Sequence, residues 1–215
     1  MSHNVQPSRA RIFWIRVSAT ERFLARIRRS LKADLANSGA TCYIRVQMNP
    51  EVQKHIEYAS GYLDLKMLAD ALRETDAALA LEPHNERAIA LKSAILWHEN
   101  RLQEAEPFIA ELAELNPRDS GLWINLAYIR RRTQSLEAAV TTLQHAFDAN
   151  PRDALAHFNM ACYRAVQNRP DEALELLRNA LDIDPKLRDL AKAEPDFKLL
   201  RGLAAFEKLI TGEKV

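Results

Sequence analysis

The side chains able to do chemistry are scattered along this chain. Histidines stand at His3, His55, His84, His98, His145 and His157, and none has another three or four residues away. Two imidazoles at that spacing would share one helix face and could hold a divalent metal. Cys42 and Cys162 lie far apart and outside any C-x-x-C. They give neither a metal-site spacing nor a disulfide framework, a usage that fits a reducing, cytoplasmic compartment. The glycine-rich phosphate loops, the G-x-S-x-G elbow and the H-E-x-x-H motif are missing. Glu104, Glu106, Glu111 and Glu114 read as a solvated helix face. The expectation is a non-enzymatic protein that needs no cofactor and no metal.

Charge is unevenly distributed. The 215 residues carry a net charge of +1, but residues 1–50 hold nine Lys/Arg against two Asp/Glu. The remaining 21 Lys/Arg and 27 Asp/Glu leave the larger part at −6. That part lacks the positive field that phosphate contacts need, so it is not expected to bind nucleic acid. No apolar run is long enough for a transmembrane helix. Few glycines with much Ala, Leu, Glu and Arg favour helices.

The helices must follow a repeat. Pro83, Pro117, Pro151 and Pro185 are each 34 residues apart and each closes an apolar helical run. Small residues recur in phase at Ala71, Ala105, Ala139 and Ala173, and again at Ala59, Ser93, Ala127 and Ala161. A third place holds Ala78, Leu112, Ala146 and Ala180. Small side chains let helices approach closely and so mark crossings. Within 122–132, Leu122, Trp123, Leu126, Ile129 and Arg130 follow helical spacing, mostly apolar; within 136–149, Leu136, Ala139, Val140, Leu143, Ala146 and Phe147 do the same. The frames are 52–85, 86–119, 120–153 and 154–187, each a pair of helices.

This pattern resembles the tetratricopeptide repeat (TPR) family. Frame three matches at Trp123, Leu126, Ala127, Ala139, Ala146 and Pro151. Frame four matches at His157 (in the aromatic place), Met160, Ala161, Ala173, Ala180 and Pro185. Frame one keeps Ala59, Tyr62, Ala71, Ala78 and Pro83, while Ile89, Lys92 and Ser93 weaken frame two. The resemblance implies an all-α fold: a right-handed α-solenoid of stacked helical hairpins with a C-terminal helical cap. Residues 49–187 would form the four repeats. Residues 188–215, with Leu190, Phe197, Leu200, Phe206 and Ile210 set among charges, would form the cap, broken near Pro195 and Gly202.

The resemblance also implies a concave groove lined by the first helix of each pair. Asn125 and Asn159 fall one repeat apart at the same frame position. Each amide donates and accepts, so such a ladder can hold an extended backbone. Trp97, Tyr128 and Phe158 would receive apolar side chains, and Arg131 and Arg132 would favour an acidic group. A plainer reading stands beside this one, with Tyr128 and Phe158 packing between helices. His157 and Cys162 are expected to be packing residues. The subclass that clamps Glu-Glu-Val-Asp chaperone tails needs Lys, Asn, Asn, Lys and Arg at five inner places. The better register here offers Ala90, Ala94, Asn125, Leu155 and Asn159, so no such clamp is expected.

The partner is therefore expected to be a peptide or helix of another protein. The alternative is a self-associating scaffold, a homo-oligomer formed through the repeat ends. Residues 1–48 form a basic extension with three readings: a weakly structured leader, an arginine-rich targeting or membrane-surface segment that would make the protein organellar, or translation that truly begins at Met48.

Overall fold

A computed structural model of the chain describes residues 49–212. The readings offered for residues 1–48 lie outside the described residues. These residues form helices α1 (Pro50–Asp64), α2 (Leu68–Leu81), α3 (Glu86–His98), α4 (Leu102–Leu115), α5 (Ser120–Thr133), α6 (Leu136–Ala149), α7 (Ala154–Val166), α8 (Pro170–Ile183), α9 (Leu187–Ala193) and α10 (Ala204–Thr211). A 3-10 turn, Pro195–Leu199, separates the last two. The described residues are all-α and fall into two compact units, 49–115 and 116–212. Each unit stacks two helical hairpins, and the second also carries the C-terminal cap.

The repeated small residues sit where the helices cross. Ala59, Ala71, Ala78, Ala105, Ala127, Ala139, Ala146, Ala161, Ala173 and Ala180 have no exposed surface at all. A larger side chain at any of them would force backbones apart or drive neighbours off their rotamers. Ser93 is buried too, its hydroxyl bonded to the Ala90 carbonyl. Lys92 occupies the place that Leu126 and Met160 hold in later frames. Its ammonium escapes burial by pairing with Asp76 at 2.6 Å and lying 4.7 Å from the Phe108 ring centre. Its methylene stem can then cover the apolar seam.

Helix starts repeat as well. Asn85, Asp119 and Asp153, 34 apart, are the N-caps of α3, α5 and α7, each accepting backbone N–H groups of the first turn. Asn49 caps α1 in the same way. The turns inside the hairpins share a second device. Lys66, Asn100 and Asn168 all adopt φ near +60°, the left-handed conformation that ends a helix tightly. Frame three departs from this. There α5 runs on to Thr133, Gln134 has φ of −125°, and Ser135 caps α6.

The difference predicts opposite responses to glycine. Lys66→Gly removes a strained side chain and raises stability by about 0.5–1 kcal/mol. Gln134→Gly relieves no strain and lowers it by a similar amount. Chemical denaturation of the two variants beside the parent checks both signs.

Candidate functional site

The candidate site is built on α5 and α7, the first helices of the two hairpins in the second unit. Their seams are fixed from behind. The Trp123 indole N–H donates to the carbonyl of Pro117 at 3.0 Å, and His157 Nε2 makes the same contact with the carbonyl of Pro151 at 3.0 Å. Two different rings thus tie each first helix to the proline closing the preceding frame. Trp123 stacks on His145 and His157 meets Phe147 edge-on, so His157 is a packing residue. Arg130 donates to Thr142 Oγ1 and links α5 to α6. With these side chains turned to the hairpin seams, the remaining faces of α5 and α7 carry the candidate residues.

Asn125 and Asn159 are half-buried, and neither amide has a hydrogen-bond partner among the described residues. Tyr128 is half-buried and Arg132 exposed. Arg131 is not open. Its two terminal nitrogens both donate to the Asp196 carboxylate, one of them at 2.8 Å. Its guanidinium also lies 5.0 Å from the Tyr163 ring centre. Burial works against the Arg131 charge, but the hydrogen bonds and charge of Asp196 outweigh it and hold its pKa above the ordinary value.

Two of the three aromatic residues expected to line an open groove are buried, which corrects that expectation. Phe158 is only 1% exposed because Phe197, from the 3-10 turn, packs edge-on against it at 5.5 Å. Trp97 is 6% exposed and belongs to the first unit. It lies in α3, which is apolar around most of its circumference and buried at Ala88–Leu91 and Ser93–Trp97. A helix of that composition belongs inside a core. The structure therefore brings Asn125, Tyr128, Arg131, Arg132, Phe158 and Asn159 onto two packed helices, with Phe158 and Arg131 already engaged by the chain itself.

The sequence reading passed over Asp196 and Glu194, which share this face. Cys162 Sγ and carboxylate oxygens of both acids lie within 4.8 Å of one another. The trio makes a poor cation seat, since Arg131 already neutralises Asp196. Burial, reinforced by the two carboxylates, pushes the Cys162 thiol well up. Burial first, and the nearby Asp196 second, raise the Glu194 carboxyl above its ordinary value. Burial likewise raises the Tyr163 phenol, against the pull of Arg131.

Helical hairpins repeated at one interval define a helical-repeat protein. Family models described as tetratricopeptide repeat match residues 120–153 and 154–187. Solved structures agree in fold. A crystal structure of MamA protein superposes with a TM-score of 0.64 at 14% identity, spanning 75% of this chain and 87% of that one. YrrB, described as a TPR protein with an unusual peptide-binding site, gives 0.60 at 20% identity, over 76% of this chain and 86% of its own. MamA (41-end) from Desulfovibrio magneticus RS-1 gives 0.57 at 16% identity, over 80% and 95%. No curated protein sequence matches the chain. Residues 120–187 thus match two repeats of the tetratricopeptide family, a family of protein-interaction modules, and the described residues share the fold of solved tetratricopeptide repeat proteins. Among the described residues, no helix is long and apolar enough to cross a membrane.

Glu194 carries a pH prediction. Its folded pKa is raised, so the folded chain keeps a proton that the unfolded chain has lost. Its contribution to stability is greatest at acid pH. It falls as pH rises from the unfolded carboxylate's pKa through the raised folded value. Glu194→Gln preserves the acceptor for the Asp196 N–H and removes the charge. The variant should melt higher than the parent at neutral pH and lose that part of the pH slope. A melting point unchanged or lowered at neutral pH would contradict this account.

Proposed function

We propose that the α5–α7 face holds an extended segment of a partner protein, with Asn125 and Asn159 bonding its backbone. One observation carries the reading. Two amides of identical frame position stand half-buried on packed helices, and neither is matched by a described residue. An amide with no partner within the chain is free to bond a ligand backbone in place of water. A pair spaced by one repeat offers a donor and an acceptor at each of two points along a peptide. Tyr128 supplies ring surface beside them, and the exposed Arg132 favours an acidic neighbour on the ligand. The partner is a protein, and the chain works as an adaptor or assembly factor.

The Asn125→Ala/Asn159→Ala variant tests this directly. Each lost amide removes hydrogen bonds worth on the order of 1 kcal/mol, so partner affinity should fall by roughly 30-fold or more. Partners recovered with the parent chain are identified by mass spectrometry, and their affinities for parent and variant are compared by titration. Equal affinities, with the variant's melting point unchanged, would remove the two amides from the binding role.

A further inference from the structure

The segment after α9 breaks the repeat geometry, and where it goes is informative. The first helices of the four frames run 13 to 15 residues. A fifth would continue well past residue 193, but α9 stops after 7 residues. Pro195 disfavours helical backbone in Glu194, which is extended with ψ of 119°. The chain then forms its 3-10 turn against α7 and reaches α5. There Asp196 meets Arg131 across 65 residues of sequence, and Phe197 meets Phe158.

We propose that residues 194–199 are an internal occupant of the α5–α7 face, and that a partner peptide carrying a carboxylate followed by an aromatic residue displaces them. This rests on the reading that the face binds a partner segment, and it adds what that segment must contain. The seat has two parts. The Arg131 guanidinium, backed by the Tyr163 ring, presents a fork that fits one carboxylate in bidentate fashion. Phe158 presents a ring that takes a second ring edge-on. Asp196-Phe197 fills both with adjacent residues, which defines the order and spacing the face accepts.

The segment is also placed to leave. Pro195 and Lys198 are exposed, and Leu199 is 63% exposed, an apolar side chain directed away from the core. Phe206 of α10 packs on Phe197, but the neighbouring helices keep other anchors besides. Leu187 and Ala191 of α9 are buried, α10 packs on both α8 and α9, and Arg188 Nε donates to the Leu209 carbonyl at 3.3 Å. Glu194 is half-buried and crowded beside Asp196, and its carboxyl pKa is raised. A partner with a single carboxylate would not carry that cost.

The probe is the segment itself, a fluorescein-labelled peptide of sequence AEPDFKLL, residues 193–200. It is titrated by anisotropy against the full chain, Asp196→Asn, and Asp196→Asn/Phe197→Ala. The double variant should bind it about tenfold or more tightly than the parent does, as expected for vacating a charge-assisted, ring-packed seat. Adding Arg131→Ala should abolish that gain, and a peptide with alanine for its aspartate should not bind. A double variant that melts cooperatively yet binds no better than the parent overturns the proposal. If the double variant does not fold, Asp196→Asn alone decides: it should bind severalfold better than the parent, and equal binding overturns the proposal. The Asn125→Ala/Asn159→Ala comparison reports on the parent reading alone, because the segment's own contacts are with Arg131 and Phe158.

Discussion

Close approach of paired helices at side chains no larger than alanine is the constraint from which the rest of this structure follows. When Ala127 meets α6 and Ala139 meets α5 with no surface left to water, the two backbones are held near the minimum separation for packed helices. That fixes which residues face the seam, and by helical periodicity it fixes which do not. The interval of 34 residues then has to be kept. A one-residue slip would rotate every later side chain by about 100° around its helix. Caps at Asn49, Asn85, Asp119 and Asp153 hold that count at the start of each first helix, and left-handed residues at Lys66, Asn100 and Asn168 hold it at the ends of α1, α3 and α7.

What the seam does not use becomes the inner face, and in the second unit its polar groups are treated unequally. Arg131 is partly buried, a costly place for a charge unless its donors are matched. Asp196 matches two of them, and the guanidinium lies 5.0 Å from the Tyr163 ring centre. Asn125 and Asn159, a few residues along the same helices, are left without a described partner. The tail thus satisfies the charged and ring-bearing part of the face and leaves the amide part. Its route there depends on Pro195 at the start of the turn and on Gly202 at its end. Gly202 has φ of +86°, a conformation that side chains resist, and Phe206 beyond it returns to pack on Phe197.

Much of this was legible in the sequence because it is local and periodic. The period, the crossing residues and the broken cap are written in residue types at fixed intervals, and Pro195 and Gly202 mark the places where the cap does break. The occupancy of the inner face was not legible. Nothing near Phe158 in sequence foretells Phe197, because the contact is made across the last hairpin and a break in the repeat. Trp97 failed differently. Its frame position marked it as a groove residue, but AIALKSAILW leaves α3 hardly any polar circumference, a composition that could have been weighed against position. Asn85, Asp119 and Asp153 were also present at the interval of 34 and could have been read as caps.

The place called aromatic in this repeat shows what the pattern selects. It is filled by His55, Ile89, Trp123 and His157 in the four frames. Trp123 and His157 differ in size, yet each puts a ring nitrogen 3.0 Å from the carbonyl of the proline that ends the preceding frame. His55 turns its Nδ1 to Glu74 of α2 at 2.7 Å instead. Ile89 has no nitrogen to offer, and α3 there relies on burial. The requirement shared by frames three and four is a flat side chain with a polar nitrogen at its edge. It covers the seam with its face and satisfies a carbonyl that the proline's break in the helix leaves without an amide donor.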